Sequence, residues 1–400
     1  MGSGGRAYGN ISWLIAAQML VQTAGIALVA TSSLVAFAIA PAKSLATLPI
    51  ALSVLSSAAM MIPASLYMQT HGRRRGFMIG AASGLCSGLV IAAAIWQRSF
   101  ALFIAGHVLA GIYQAFAQYY RFAAVESAGA VHAARVIAWV ISGGIIAAFA
   151  GPALARAGNS GAESGGLDAY IYLYLALALL ALLALLLLMR LQMPPVARRP
   201  AADVPARTLA ELLRQPAFVT AIAASTAGYA VMSMIMSGTP LAMQLCGLPL
   251  TASASVIRWH MLGMFVPSLF TGDLIRRFGV HAMMTTGALL IGAQIVVALN
   301  GISYAHFVVG LALLGAGWNF LFIGGSTLLA RVWRPGEQAR VQSTHDFTVF
   351  GVASIGSWAA GQLLVAAGWN TVNWVAVPLL LVALVLVLLH WRQEYGAALQ

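Results

Sequence analysis

Long apolar stretches separated by short polar turns run through this chain from end to end. A membrane-spanning helix needs about 20 consecutive apolar residues. Dividing the sequence at its charges, prolines and polar turns leaves twelve such stretches. They begin near Ile11, Leu45, Gly76, Phe100, Arg135, Ala169, Phe218, Ala252, His281, Ala305, Val341 and Trp369. The pattern predicts an all-α integral membrane protein with twelve transmembrane helices, and this even number returns both termini to one side.

Composition and charge support the membrane assignment and indicate its orientation. Hydrophobic residues make up 61% of the 400 positions and charged residues 8%, whereas soluble domains carry about 25% charged residues. With the amino terminus inside, the outer loops hold only Lys43, Arg98 and Arg156 of the 21 basic residues. Lys and Arg are retained in cytoplasmic loops, so we predict cytoplasmic N and C termini. The net charge of +12 then reflects loops that meet anionic lipid, and we expect no nucleic-acid partner.

A basic, proline-bearing segment divides the predicted spans six from six. Residues 190–216 lie between the sixth and seventh spans and are rich in Pro, Ala and Arg. Such a composition is poor for a packed core and typical of a linker. We therefore predict an N-terminal six-helix bundle over residues 1–189, a cytoplasmic linker over 190–216 and a C-terminal six-helix bundle over 217–400.

Two related loops follow the second and eighth predicted spans. The first is Ser65-Leu-Tyr-Met-Gln-Thr-His-Gly72-Arg73-Arg-Arg, and the second is Gly272-Asp-Leu-Ile-Arg-Arg-Phe-Gly279. They resemble the signature loop that the major facilitator superfamily carries once in each half, although the acidic position of the motif holds Gln in the first copy and Arg in the second. The resemblance implies two pseudo-symmetric bundles that work by alternating access. It also makes Gly72, Arg73 and Gly279 candidates for gating, since glycine permits a tight turn.

Methionine and histidine recur at helical spacing in the seventh and eighth spans. Met232-x-x-x-Met236 and His260-x-x-x-Met264 each place two side chains on one helix face. Thioether sulfur together with imidazole suits Cu(I), and a histidine within a span marks a pathway by default. The alternative is structural. Met is abundant, with 16 in the chain, and His260 would then donate a hydrogen bond to the carbonyl of a neighbouring helix.

These motifs are also similar to those of a specific branch of transporters. Together with Phe265-x-Pro267-Ser268, the segment 315–325 and Asp346-Phe347-x-x-Phe350-Gly351, they resemble the CcoA-type copper importers of the superfamily. The resemblance implies a bacterial inner-membrane protein that imports copper, as Cu(I), for the assembly of cbb3-type cytochrome c oxidase. Related members that lack the Met and His pairs are associated with riboflavin uptake.

The copper hypothesis assigns a role to six residues and leaves no resident cofactor. Met232, Met236, His260 and Met264 would bind the transported ion, and Met232 and His260 would lie level on adjacent spans. Met243 and Cys246, near the outer end of the seventh span, would collect copper at the mouth. The expected partners are the copper ion, the lipid bilayer, a periplasmic donor and a cytoplasmic acceptor, with the chain as a monomer.

Energy coupling and the identity of the solute stay open at the level of sequence. Glu126 and Asp346 could carry protons, or they could pair with cytoplasmic arginines, and Asp273 is expected to pair locally with Arg276 and Arg277. The alternative function is transport of an organic solute, riboflavin-like or drug-like. Candidate cavity residues for it are Gln18, Gln22, Tyr113, Gln114, Gln118, Tyr119, Trp318 and Asn319. An enzyme is not expected, because no set of nucleophile, base and orienting residue appears within the spans.

Overall fold

The computed structural model describes residues 3–42, 45, 48–193, 207–248, 250–334 and 336–398. Lys43 and positions 194–206 of the predicted linker lie outside the described residues. The helices, numbered in chain order, are α1 Ser3–Ile39, α2 Leu48–His71, α3 Arg73–Trp96, α4 Phe100–Ala117, α5 Tyr120–Ala128, α6 Ala133–Ser142, α7 Gly144–Gly165, α8 Ala169–Leu188, α9 Leu209–Leu213, α10 Pro216–Leu245, α11 Leu250–Phe265, α12 Ser268–Phe278, α13 Val280–Leu299, α14 Tyr304–Leu329 and α15 Gln338–Ala398.

Eleven helical stretches among the described residues are long and apolar enough to cross a membrane. Two of them, Gln338–Leu364 and Ala366–Tyr395, lie in α15, and the second contains near its start Gly368, whose positive φ of 80° turns the chain. The predicted eighth span is the exception, because it is divided into α11 and α12. Both the all-α membrane fold and the multi-pass character predicted from the sequence are therefore confirmed.

The chain divides into two compact units. The first comprises Met1–Ala128 and Gly143–Arg198, and the second comprises Gly129–Ser142 and Arg199–Gln400. The first unit thus contains α1–α5, α7 and α8, and the second contains α6 and α9–α15. The short helix α6 groups with the second unit although the helices on either side of it along the chain belong to the first.

The first unit is built around an apolar core between α1, α3, α4 and α8. Ile91, Ile95 and Phe103 are fully buried in it. Both ring nitrogens of the buried His107 are paired: Nδ1 lies 2.8 Å from the carbonyl oxygen of Phe103, and Nε2 lies 2.6 Å from the Ser32 hydroxyl. In lipid, as in a protein core, such pairing removes the cost of an unsatisfied polar group.

The second unit is held together by close helix crossings on α14. A Cβ added at Gly315 would lie 2.5 Å from the carbonyl oxygen of His260, and one added at Gly263 would lie 2.5 Å from that of Ala312. Gly287 of α13 and Gly317 of α14 approach each other in the same way. Small residues let helix backbones come this close, so glycine fixes the contacts of α14 with both α11 and α13.

A proline explains the break in the predicted eighth span. Pro267 has no N–H and cannot donate to the carbonyl four residues earlier, and the helix is interrupted at Val266 and Pro267. Asn319 of α14 bridges the break: its Nδ2 donates to the Met264 carbonyl at 2.6 Å and to the Ser268 hydroxyl. Its Oδ1 lies 2.7 Å from Thr271 Oγ1.

The end of the predicted linker is an ordered element of the second unit. Thr208 and Glu211 form a capping box that starts the short helix α9, which satisfies the free N–H groups of its first turn. Immediately before it, Arg207 makes an ion pair with Glu337, with Nε 2.9 Å from Oε1. The Glu337 carboxylate also accepts from the backbone N–H groups of Arg207 and Arg334, at 2.9 and 3.0 Å.

We predict that the pair of Arg207 and Glu337 makes stability depend on acid pH. Hydrogen bonds from the Arg207 side chain lower the pKa of Glu337 from 4.5 to about 2. A carboxyl group whose pKa is lowered by folding stabilises the folded state at pH values above its unfolded-state pKa. This contribution is lost as the pH falls from about 4.5 towards about 2. Glu337→Gln should therefore destabilise the protein by about 2 kcal/mol near neutral pH and flatten its stability profile in acid.

Thermal unfolding followed by tryptophan fluorescence, in detergent between about pH 6 and pH 3, tests this. Asp168→Asn is the matched control, because the Asp168 side chain is 60% exposed in its pair with Arg98. Equal flattening of the profile by both substitutions would contradict the prediction.

Candidate functional site

His260 is buried where α11 crosses α14. It is 1% exposed, and its Nδ1 lies 2.8 Å from the carbonyl oxygen of Leu311. With Nδ1–H donating to that carbonyl, the lone pair of Nε2 is left available. Among the described residues, Nε2 of His260 has no hydrogen-bond partner, whereas both ring nitrogens of His107 in the first unit are paired. The hydrogen bond that the structural alternative required is thus present, but it uses only one of the two nitrogens.

The methionines of the two motifs differ in exposure. Met232 is buried, whereas Met236 and Met264 are half-buried. Helix α10 packs mainly against α14 and α15, while α11 packs mainly against α14. The described contacts therefore tie His260 to α14, and the level arrangement of Met232 and His260 stays a prediction.

The two residues predicted to collect copper, Met243 and Cys246, lie at the end of α10. Met243 is fully buried and Cys246, with a free thiol, is half-buried. Cys246 is the residue directly after the last residue of α10, and it is the more exposed of the two. Their role in collecting copper remains a prediction.

Five aromatic rings from four helices form a cluster in the second unit, here called the aromatic cluster: Tyr229, Phe265, Trp318, Phe322 and Phe350. Tyr229 of α10 contacts three of the others edge-on, with ring centroids 5.6 Å from Trp318, 5.3 Å from Phe322 and 4.7 Å from Phe350. Trp318 and Phe322 are nearly parallel, at 17° and 5.2 Å. Edge-to-face and offset parallel pairs are the favourable arrangements of such rings.

The aromatic cluster carries polar groups as well as rings. Trp318 is 3% exposed, and in the part of the chain that the structure describes its Nε1–H has no acceptor. Thr226, one turn before Tyr229 on α10, likewise has a buried hydroxyl without a partner among these residues. Tyr229 and Phe350 are half-buried and form the more accessible side of the cluster. The site can therefore stack a planar ring and donate hydrogen bonds to its edge.

Three other residues predicted to line a cavity form hydrogen bonds within the protein. Tyr119 donates to the Met61 carbonyl at 2.7 Å, and Gln118 Oε1 accepts from Arg121 at 3.1 Å. The side-chain amide of Asn319 forms hydrogen bonds to α11 and α12 through both its nitrogen and its oxygen, as described above. Of the eight residues, Trp318 is the one that the structure brings into the aromatic cluster.

The two signature loops share their backbone geometry. Gly72 has φ 90° and ψ 151°, and Gly279 has φ 87° and ψ 156°. This conformation is open to glycine and strained for other residues, which explains both glycines. Arg73, directly after the first, binds Glu126 through two contacts, Nη2–Oε1 at 2.6 Å and Nε–Oε2 at 3.2 Å. Glu126 thus pairs with an arginine as the structural interpretation expected, although the partner is Arg73.

Asp273 pairs over a longer range than the sequence indicated. Its Oδ1 lies 2.5 Å from Nη2 of Arg135 on α6, whereas the expected local partner, Arg276, is 3.5 Å away. A Cβ on the preceding Gly272 would lie 2.5 Å from the Arg135 Cα. The absence of a side chain at Gly272 lets α6 and α12 approach closely enough for this pair to form.

Asp346 is fully buried at the start of the penultimate span. Its Oδ1 lies 2.7 Å from Nδ1 of the neighbouring His345, which is also fully buried. Adjacent ionisable groups in hydrocarbon are costly and are typical of functional positions. Participation of Asp346 in proton coupling stays a prediction.

Tyr229 and Glu337 are the residues that sequence reasoning missed. Tyr229 is a phenol near the middle of an apolar span, a position at which an amphipathic ring usually has a specific partner. Glu337 precedes a predicted span and carries the buried end of an ion pair. An isolated acid beside a span is the signal that could have indicated it.

Comparison with known proteins identifies the family. The family model of the Major Facilitator Superfamily matches residues 12–258 and 250–398. The chain belongs to the major facilitator superfamily. Among curated relatives, the riboflavin transporter RfnT of Brucella anthropi is 37% identical to it over 390 residues, which is 97% of each chain.

Solved major facilitator structures share the fold. The proton:xylose symporter XylE superposes with a TM-score of 0.78 at 13% identity, covering 98% of this chain and 96% of that one. The fucose:proton symporter FucP of E. coli gives 0.75 at 15% identity, with 94% and 97% covered. At such identities the likeness concerns the fold alone.

Family membership settles the class of function. The chain is a major facilitator secondary transporter and not an enzyme, as the sequence predicted. The comparisons favour the organic-solute alternative over copper import. The copper-specific expectations, including supply of cbb3-type cytochrome c oxidase, gain no support from them. Bacterial inner-membrane location and cytoplasmic termini stay predictions.

Proposed function

We propose that this transporter imports riboflavin or a closely related flavin by alternating access. The observation that carries the proposal is the aromatic cluster around Tyr229 and Trp318. Flavins present a planar apolar ring system with hydrogen-bonding atoms along one edge. A cluster with one accessible aromatic side, and with an indole N–H that has no acceptor among the described residues, matches both properties.

Similarity to a named flavin transporter supports the choice of substrate. RfnT of Brucella anthropi is aligned over almost the whole of both chains, at 37% identity. Riboflavin, the substrate in the name of RfnT, has a planar ring system that suits the aromatic cluster, since stacking of a heterocycle on aromatic side chains contributes about 1–3 kcal/mol per ring. Proton coupling through Asp346 would fit such a transporter, and uptake with and without a protonophore tests it.

Uptake of radiolabelled riboflavin by a riboflavin auxotroph that expresses the chain tests the proposal directly. We expect growth at low external riboflavin and uptake above that of cells with an empty vector. Unlabelled lumichrome, which has the ring system without the ribityl chain, should compete, and ribitol should not. Background uptake in cells whose membranes contain normal amounts of the protein would contradict the proposal.

Copper(I) is the second candidate substrate, favoured by Nε2 of His260, which has no hydrogen-bond partner within the described parts of the chain. A ligating histidine usually donates its other ring N–H to a carbonyl or carboxylate, and His260 does so to Leu311. Met232, in the same unit, would add a soft sulfur ligand. The weakness of this candidate is that no described contact joins Met232 to His260.

One pair of variants separates the two substrates. His260→Gln retains a donor for the Leu311 carbonyl but loses the imidazole, and Met232→Leu keeps the volume but loses the sulfur. If flavin is the substrate, both variants should take up riboflavin near the wild-type rate. If copper is the substrate, both should lose accumulation of radiolabelled copper at normal membrane abundance.

A further inference from the structure

Two buried histidines and a glutamate meet where the first turn of α13 packs against the end of α15. His281 and His390 are 4% and 7% exposed. His281 Nε2 lies 2.8 Å from His390 Nδ1, so one of the two nitrogens must carry the shared proton. Glu394, one turn after His390, has a half-exposed side chain that reaches both rings.

The carboxylate distances are those of a ligand cluster more than of a hydrogen-bond network. Glu394 Oε2 is 3.6 Å from His281 Nδ1, and Oε1 is 3.7 Å from His390 Nε2. Both distances exceed the range of a good hydrogen bond. Metal–ligand bonds of about 2.0–2.1 Å in a tetrahedral zinc site place neighbouring ligand atoms about 3.3 Å apart. One ligand atom from each of the three residues lies within 4.8 Å of the others.

We infer that His281, His390 and Glu394 form a binding site for a divalent transition-metal ion of the zinc type. Two imidazoles and one carboxylate make up a set that Zn²⁺ accepts with water in the fourth position. Mg²⁺ and Ca²⁺ prefer oxygen ligands alone, and Cu(I) prefers sulfur. The site is separate from the aromatic cluster and from the His260 motif, and it does not depend on which solute is transported.

The surroundings of the cluster limit how its side chains can move. The Trp391 ring is nearly parallel to that of His281, at 17° with centroids 6.3 Å apart, and both histidines lie on long helices. Only Glu394 has an exposed, flexible side chain, so it supplies the movement that closes the ligands around an ion. The charge of Arg331 also acts on His281 and opposes a cation, so we expect weaker binding than at a structural zinc site.

An ion at this site would connect the start of α13 to the end of α15. Both helices belong to the second unit, and His281 lies 109 positions before His390, which is one helical turn from Glu394. An unfolded chain does not hold such ligands together, so the ion binds the folded state and stabilises it by mass action.

Zinc titration of the purified, chelator-treated chain without a polyhistidine tag tests this inference. We expect about one Zn²⁺ per chain by elemental analysis, a rise in the Tm with Zn²⁺, and the visible absorption of four-coordinate Co²⁺ when cobalt replaces zinc. Mg²⁺ at the same concentration should not change the Tm.

Variants locate the ion. His390→Gln should remove the Zn²⁺-dependent rise in the Tm, and Glu394→Gln should weaken binding by about tenfold or more. His306→Ala is the control, since His306 belongs to another end of the unit, near Ser303. Because Glu394 is half-exposed, its variant should fold even if His390→Gln does not. Zinc binding that is absent in the wild type, or unchanged in Glu394→Gln, would overturn the inference.

Discussion

Replacing Trp318 with leucine should lower riboflavin uptake about 30-fold at low external concentrations. The substitution removes the ring that stacks on Phe322 and contacts Tyr229, together with the indole N–H, for which the described residues offer no acceptor. Loss of stacking on one aromatic side chain costs about 2 kcal/mol, which corresponds to roughly 30-fold in affinity. Initial rates of radiolabelled uptake, normalised to protein in the membrane, measure the effect.

Two further variants make the Trp318 result specific. Trp318→Phe keeps a ring but loses the N–H, so its uptake should fall between that of the wild type and that of the leucine variant. Trp358→Leu changes a tryptophan of the same unit that is 73% exposed, and it should transport normally. Normal uptake by Trp318→Leu would exclude the aromatic cluster as the flavin site.

Gly315→Ala should sharply reduce the amount of folded protein. Alanine within a helix normally stabilises it by about 0.5–1 kcal/mol relative to glycine. Here the added Cβ would lie 2.5 Å from the His260 carbonyl oxygen and 2.7 Å from the Met264 backbone nitrogen. Neither atom belongs to a flexible side chain, so α11 and α14 must separate, and overpacking of this kind costs about 1–3 kcal/mol.

The Tm in detergent and the monodisperse fraction on size-exclusion chromatography measure the loss at Gly315. Gly292→Ala is the matched control, since a Cβ there meets nothing within 4 Å. We expect the control to be as stable as the wild type or slightly more so. Equal behaviour of the two variants would show that the crossing of α11 and α14 tolerates wider spacing.

The apolar pattern predicts this fold well because each membrane-spanning helix must be apolar along its whole length, whichever helices it packs against. The predicted starts at Phe100 and Ala169 are the first residues of α4 and α8, where Ser99 caps one helix and Asp168 precedes the other. The break at Pro267 was not predicted, although the proline is visible in the sequence. A proline within a span is accommodated by neighbouring side chains, and the neighbour here is Asn319, which lies in another helix.

The ion pairs and the aromatic cluster were harder to predict for the same reason. Glu126, Asp273 and Glu337 find their partners 53, 138 and 130 positions away. Sequence proximity therefore pointed to Arg276 for Asp273 and did not single out Arg73 for Glu126. Similarly, Trp318 was a candidate from composition, but Tyr229 joins it only through the packing of α10 on α14. Contacts between residues this far apart in the sequence depend on tertiary structure, and the local pattern of apolar and polar residues does not encode them.

The break between α11 and α12 has a mechanical consequence. Pro267 has already removed a main-chain hydrogen bond, so a change of angle between the two segments need not break that bond. What resists bending is the amide of Asn319, through its contacts with Met264, Ser268 and Thr271. The eighth span thus consists of two helices joined at a flexible hinge, and one side chain from a neighbouring helix determines how easily that hinge bends.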